Sequence, residues 1–171
     1  MSVQLKEINV TYVPKEDRLL VKISDSDDEE CRIWLTRRFT KILLEALDKV
    51  LMAESRAQGA VTKEAQSAFA EYQHSQNVND DSFAHNYQQE TGQPALGKED
   101  MLAHTIEYKS LSNGGLEFSI LSDGDKKATL NMDDKMKHQF YELVQRGIVM
   151  ASWDKHGLSI TGSPELTSAV H

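Results

Sequence analysis

The chain reads as an α+β protein of two β-β-β-α repeats, an internal pseudo-dimer of antiparallel sheets with helices covering one face. Three observations predict this. Apolar residues alternate with period two in two separate regions, each region is followed by apolar residues at helical spacing, and the two regions coincide at one fixed offset in number.

Ile8 and Val10 mark the first strand, and Pro14-Lys15-Glu16-Asp17 supplies its turn. Leu19, Val21 and Ile23 then alternate as one buried strand face requires. The acidic turn Asp25-Ser26-Asp27-Asp28 leads to Cys31, Ile33 and Leu35, the inward positions of a third strand. Thr36 stands where a side-chain oxygen would cap the first free amides of a helix. Phe39, Leu43, Ala46, Leu47 and Leu51 follow at steps of 4, 3, 1 and 4, the spacing of one helical face.

The second region repeats this order. Ile106 and Tyr108 precede the turn Ser112-Asn113-Gly114-Gly115, after which come Leu116, Phe118 and Ile120. Ser122-Asp123-Gly124-Asp125 separates these from Ala128, Leu130 and Met132; Asp133 occupies the cap, and Met136, Phe140, Leu143, Val144 and Ile148 form the helical stripe. From the second strand onward each match is 97 apart in number, as 116 is from 19. The first strands are 98 apart, which requires only that one hairpin turn be a residue shorter in the second copy. The organisation expected is therefore a first repeat over 1–55, a polar linker over 56–98, a second repeat over 99–155, and a short strand and tail over 156–171. Within the linker, Val61, Ala65, Ala68, Phe69 and Tyr72 predict a short, weakly amphipathic helix, and Ser75 to Gly97 a mobile loop. Leu158-Ser159-Ile160-Thr161 alternates as the short strand.

With 171 residues, 39% of them hydrophobic and 27% charged, and a mean hydropathy of -0.52, the composition is that of a folded globular chain rather than a disordered one. No apolar run approaches the roughly 18 residues of a membrane helix, and Met1 to Glu7 lacks the apolar stretch of a signal peptide, so a cytoplasmic location without membrane contact is expected. Cys31 is the one cysteine, which excludes an intramolecular disulfide and a thiolate-rich metal site. A net charge of -8 repels phosphate backbones, so a nucleic-acid role would need a locally basic face.

Motifs for chemistry fail on inspection. Gly92, Gly97 and Lys98 fit the start of a phosphate loop, but residue 99 is Glu where a Ser or Thr would hold magnesium. Asp25, Asp27 and Glu29 alternate as calcium ligands do, yet Glu30 stands where the loop needs Gly and Thr36 where it needs Glu. Histidines 74, 85, 104, 138, 156 and 171 show no zinc-binding spacing, and Ser110, Ser112 and Ser119 lie in no nucleophile motif. Neither an enzyme nor a cofactor nor a metal is expected.

A surface feature stands out instead. If the alternating apolar residues face the helix, then Leu20, Lys22, Arg32 and Trp34 occupy the opposite sheet face, where Trp34 is expected to pack against the other half or the linker; the alternative is an exposed partner contact, aromatic plus arginine being the composition of an interface hot spot. Arg37, Arg38 and Lys41 at the start of the helix complete the candidate binding residues; the first two oppose the helix dipole, and the acidic turn from Asp25 to Glu30 is the expected counterion.

The run Arg32-Ile33-Trp34-Leu35-Thr36-Arg37-Arg38-Phe39 before a Leu-rich helix resembles an uncharacterised bacterial protein family with a WLTRR-type motif, which implies no activity. The doubled strands-then-helix plan, with Leu116 to Met132 as its nearest echo, is similar to the purine-rich-element-binding (PUR) repeat and to the Whirly fold, both single-stranded nucleic-acid binders. Those families use four strands per repeat and basic, aromatic sheet faces; three strands are clear here. The expected function is that of a non-catalytic binding or adaptor protein with a protein partner. Single-stranded DNA or RNA binding on Lys22, Arg32 and Trp34 is the alternative, disfavoured by net charge, and a homodimer is left open.

Overall fold

The computed structural model describes residues 5–25, 30–78 and 100–153. Strand β1 (Leu5–Val13) pairs antiparallel with β2 (Arg18–Asp25), which pairs antiparallel with β3 (Glu30–Leu35). Helices α1 (Arg37–Ala57) and α2 (Lys63–Asn77) come next, and then a second antiparallel meander of β4 (Met101–Ser110), β5 (Leu116–Ser122) and β6 (Lys126–Met132), closed by α3 (Asp134–Met150).

Separate antiparallel sheets are not what forms. β3 and β4 run parallel, with Ile33 opposite Met101 and Trp34 opposite Leu102, so the strands make one mixed six-stranded sheet in the order β1-β2-β3-β4-β5-β6. The physical reason is the edge of β3: standing alone, it would leave a row of backbone donors and acceptors unpaired, and β4 takes up part of that row. A parallel joint needs a long crossover, and the segment carrying α1 and α2 supplies it.

Local chemistry places each element. Asp17 at φ 49 and Gly114 at φ 81 turn the β1–β2 and β4–β5 hairpins, and at Gly114 the left-handed backbone carries no side-chain penalty. The Thr36 hydroxyl accepts from the Phe39 amide at 3.2 Å and the Asp133 carboxylate accepts from Met136 at 2.8 Å, capping α1 and α3 as expected. Gly59 at φ 97 stops α1, and Thr62 recaps the chain by accepting from Ala65 at 3.1 Å. The linker helix therefore starts afresh and runs 15 residues. The loop expected over 75–97 and the strand at 158–161 fall largely or wholly outside the described residues.

The two meanders share a register. Val10 faces Val21 as Tyr108 faces Phe118, Leu19 faces Leu35 as Leu116 faces Met132, and the irregularity between Leu5 and Glu7 recurs between Ala103 and Thr105. One sheet face carries the core. Leu19, Val21, Ile33, Leu35, Leu116, Phe118, Ile120 and Leu130 bury there with Phe39, Leu43, Leu47, Phe140, Val144 and Ile148 of the helices.

Each long helix reaches the hairpin of the other half. Along α3, a Cβ placed on Gly147 would meet Leu19 Cδ2 at 3.0 Å and Val10 Cγ1 at 3.3 Å, so the helix backbone lies directly on β1 and β2. Beyond α3, Trp153 packs edge-on to Tyr12 at 5.9 Å and donates from its indole nitrogen to Asp17 Oδ1 at 3.1 Å, in the β1–β2 turn. Conversely, Glu54 near the end of α1 meets Lys137, whose Nζ also donates to the Gly114 carbonyl of the β4–β5 turn at 3.1 Å. The outermost strands β1 and β6 approach each other, which curls the sheet around the helices.

Candidate functional site

Strand alternation sends Lys22, Arg32 and Trp34 to the sheet face away from the core, and the pairing brings them together: Lys22 stands opposite Arg32, and Trp34 lies between Leu20 and Leu102 on neighbouring strands. All three are half-buried. Leu20 is only 5% exposed although it points outward, because a sheet neighbour as large as Trp34 flanks it. Leu102 is 39% exposed and continues the apolar strip across the parallel seam.

Asp100, just before β4, is the group that sequence reasoning did not place here. Its carboxylate accepts the Trp34 indole N–H at 2.8 Å and pairs with the Arg32 guanidinium at 3.7 Å, while Glu30 stands 3.8 Å from Arg32 Nε. The face thus holds one arginine flanked by two carboxylates, with an aromatic pinned at its polar edge. Further along β4, His104 Nδ1 lies 2.7 Å from the Thr105 hydroxyl and its Nε2 3.7 Å from Asp123.

Arg38 and Lys41 lie elsewhere. They sit on the exposed side of α1, and α1 packs on the core face, so the sheet separates them from Lys22, Arg32 and Trp34. Arg37 is also exposed and contributes charge to Asp17. The Asp17 carboxyl is held below its usual range, first by the Trp153 hydrogen bond, then by Tyr12, with Arg37 adding a smaller pull. Within the acidic turn expected to balance Arg37 and Arg38, residues 26–29 lie outside the described residues.

Two polar clusters appear that no local spacing announced. A cleft of about 560 Å³ opens between the end of α1, the β4–β5 turn and the start of α3, lined by Glu54, Gln58, Asn113, Asn131, Asp133 and Asp134 among others. Beside it lies Lys137, whose side chain is 1% exposed and whose Nζ meets Glu54, Asp134 at 2.9 Å and the Gly114 carbonyl. Every donor of that ammonium has a partner, so it pins three elements together.

The second cluster sits between α2 and α3. His74 Nδ1 lies 3.3 Å from His138 Nδ1, and His74 Nε2 lies 3.1 Å from Glu142 Oε2, while Arg146 Nε donates to Glu142 Oε1 at 3.0 Å. The His74 ring also stands edge-on to Tyr141 at 5.7 Å. His138 is 1% exposed and its Nε2 has no hydrogen-bond partner; burial, with His74 beside it, pushes its pKa down to about 4. These histidines are 64 positions apart, and only the docking of α2 on α3 makes them neighbours. Among the described residues no group of three side chains is arranged to hold a metal ion, and no helix is long and apolar enough to cross a membrane.

No protein-family model matches the chain, and neither the curated proteins nor the solved structures contain a match to it.

Proposed function

We propose that the chain is a non-catalytic binding protein, an internal pseudo-dimer of two β-β-β-α repeats whose outer sheet face docks a protein partner at the β3–β4 seam. Support for the pseudo-dimer comes from equal strand registers, equal helix caps and the reciprocal reach of α1 and α3 toward each other's hairpins. Support for the docking face comes from one observation above all: Trp34, Leu102 and Arg32 form a half-exposed strip whose charge is already balanced by Asp100 and Glu30. An aromatic, an aliphatic and an arginine with its counterion suit a desolvated protein contact. Phosphates would have to displace Asp100 from Arg32, against a chain charge of -8. That argument favours a protein over a single nucleic-acid strand.

A photo-crosslinking residue placed at Leu102 and, as a control, at Glu45 on α1 tests this in cells. The expected result is a discrete adduct at position 102 and none at 45, with the adduct reduced about tenfold or more by Trp34→Ala, the scale of a hot-spot truncation. Salt-dependent binding of a labelled single-stranded oligonucleotide that weakens in Arg32→Glu would replace the proposal with the nucleic-acid reading. Equal adducts at 45 and 102 would remove the face altogether.

A further inference from the structure

We infer that α2 is a latch on the helix layer, held by the His74–His138 imidazole pair and released by acidification. α2 has little else to hold it. Its fully buried side chains are Gln66 and Ala70, and Gln66 spends its amide on the Ala60 carbonyl at 3.1 Å, a contact near its own start. Beyond Ala70 the half-buried Phe69 is the one large apolar side chain α2 sets against its neighbours, so the polar contacts at His74 carry a large share of the docking.

Those contacts fix which nitrogens bear protons. Glu142 is an acceptor whose carboxyl stays below its usual range: burial raises it, but Arg146 and His74 outweigh that. It therefore takes the N–H of His74 Nε2, leaving His74 Nδ1 as a lone pair. That lone pair takes the N–H of His138 Nδ1, and His138 Nε2 is left as a bare acceptor. The neutral pair is thus satisfied at all but one atom.

Adding a proton breaks the arrangement. If it goes to His74, both facing nitrogens need the space of one hydrogen, unless His138 moves its own proton to Nε2, where no acceptor exists. If it goes to His138, a cation forms in a site 1% open to water, with its ring centroid 5.4 Å from that of His74. The other charged groups facing His138 are Asp134 and Lys137 from its own helix, and Glu54 of α1 satisfies Lys137 rather than His138. From α1, Asp48, whose carboxyl burial holds above its usual range, hydrogen-bonds Tyr141 beside the cluster. None of them supplies an acceptor to His138 Nε2.

The sign follows from the direction of the shift. A histidine whose folded pKa is depressed binds a proton more readily when the latch is open, so docking is complete above the ordinary value of 6.5 and is lost as pH falls toward about 4. Each pH unit in that window weakens docking by up to tenfold. Release uncovers Tyr141 and His138 while leaving the sheet-bound face of α1 and α3 in place.

Hydrogen exchange of the full chain, corrected for the intrinsic pH dependence of exchange, tests the latch. Protection of amides 66–77 should fall several-fold or more between pH 7 and pH 5, while amides in α1 and α3 hold theirs. His74→Gln and His138→Asn should both flatten this dependence. Nitrogen-15 spectra of the imidazoles should show the proton on Nε2 of His74 and on Nδ1 of His138. Protection of 66–77 that does not change with pH, an equally steep change in His74→Gln, or titration of His138 near 6.5 would each overturn the inference.

Discussion

Lys137 shows how much a single side chain carries in this molecule. Burial alone would lower its pKa, but the hydrogen bonds it donates to Glu54 and Asp134, and the charges of those carboxylates, raise it instead. A lysine with a raised folded pKa stabilises the fold fully below its unfolded value of 10.5, and that contribution is lost only as pH climbs through the folded value. It is thus a permanent fastener across the neutral range, unlike the histidine pair. Lys137→Ala should cost about 2–3 kcal/mol in chemical denaturation, because it empties the space of a fully buried side chain and removes its charged hydrogen bonds to Glu54 and Asp134. Lys137→Met, which refills the volume, should recover part of that loss; equal stability of the alanine variant and the natural chain would refute the assigned role. Nothing local announces this role, since Lys137 stands on a helix among Lys135, His138 and Gln139 and looks like part of a solvated face.

At the scale of elements, the strands and the two long helices were written in local pattern. Leu19, Val21 and Ile23 alternate, Thr36 and Asp133 cap, and the stripes from Phe39 and Met136 run at helical spacing, because each of these is decided within a few residues. Helix α2 was fainter. With only Gln66 and Ala70 buried, it has almost no stripe to read, and its existence rests on packing against α1 and α3. The seating of α3 was not legible at all. Gly147 looks like a weak point in a helix, where alanine would normally gain about 1 kcal/mol. Here the missing Cβ is what lets α3 approach Leu19 and Val10, both part of a packed sheet. Gly147→Ala should therefore destabilise, by about 1 kcal/mol net of the helical gain, since overpacking a core costs about 1–3 kcal/mol. Thermal unfolding of the variant above the natural midpoint would show that the contact is slack.

At the scale of the molecule, the halves are not independent. The first hairpin lies under α3 and is tied to Trp153, while the second is tied to α1 through Lys137 and Glu54. A chain ending after Val78 should consequently show no cooperative unfolding transition, and adding residues 79–171 as a separate chain should restore one. A cooperative transition in the shorter chain alone would mean that each half closes its own core.

Local pattern alone set the β-β-β-α order in both halves, the inward residues of β1, β2, β3, β5 and β6, and the caps of the long helices; in β4 the expected inward Tyr108 is 46% exposed, and Met101 and Ala103 are the buried residues instead. Alternation, helical spacing and capping act over a few residues and need no partner from afar. It took the assembled fold to join β3 and β4 in parallel, to bring Asp100 to Arg32 and Trp34, to set Arg38 and Lys41 away from that face, and to bring His74 to His138. Each of these depends on which edge or helix face meets which across tens of residues of chain, and that choice is made by burial and backbone pairing summed over the whole fold.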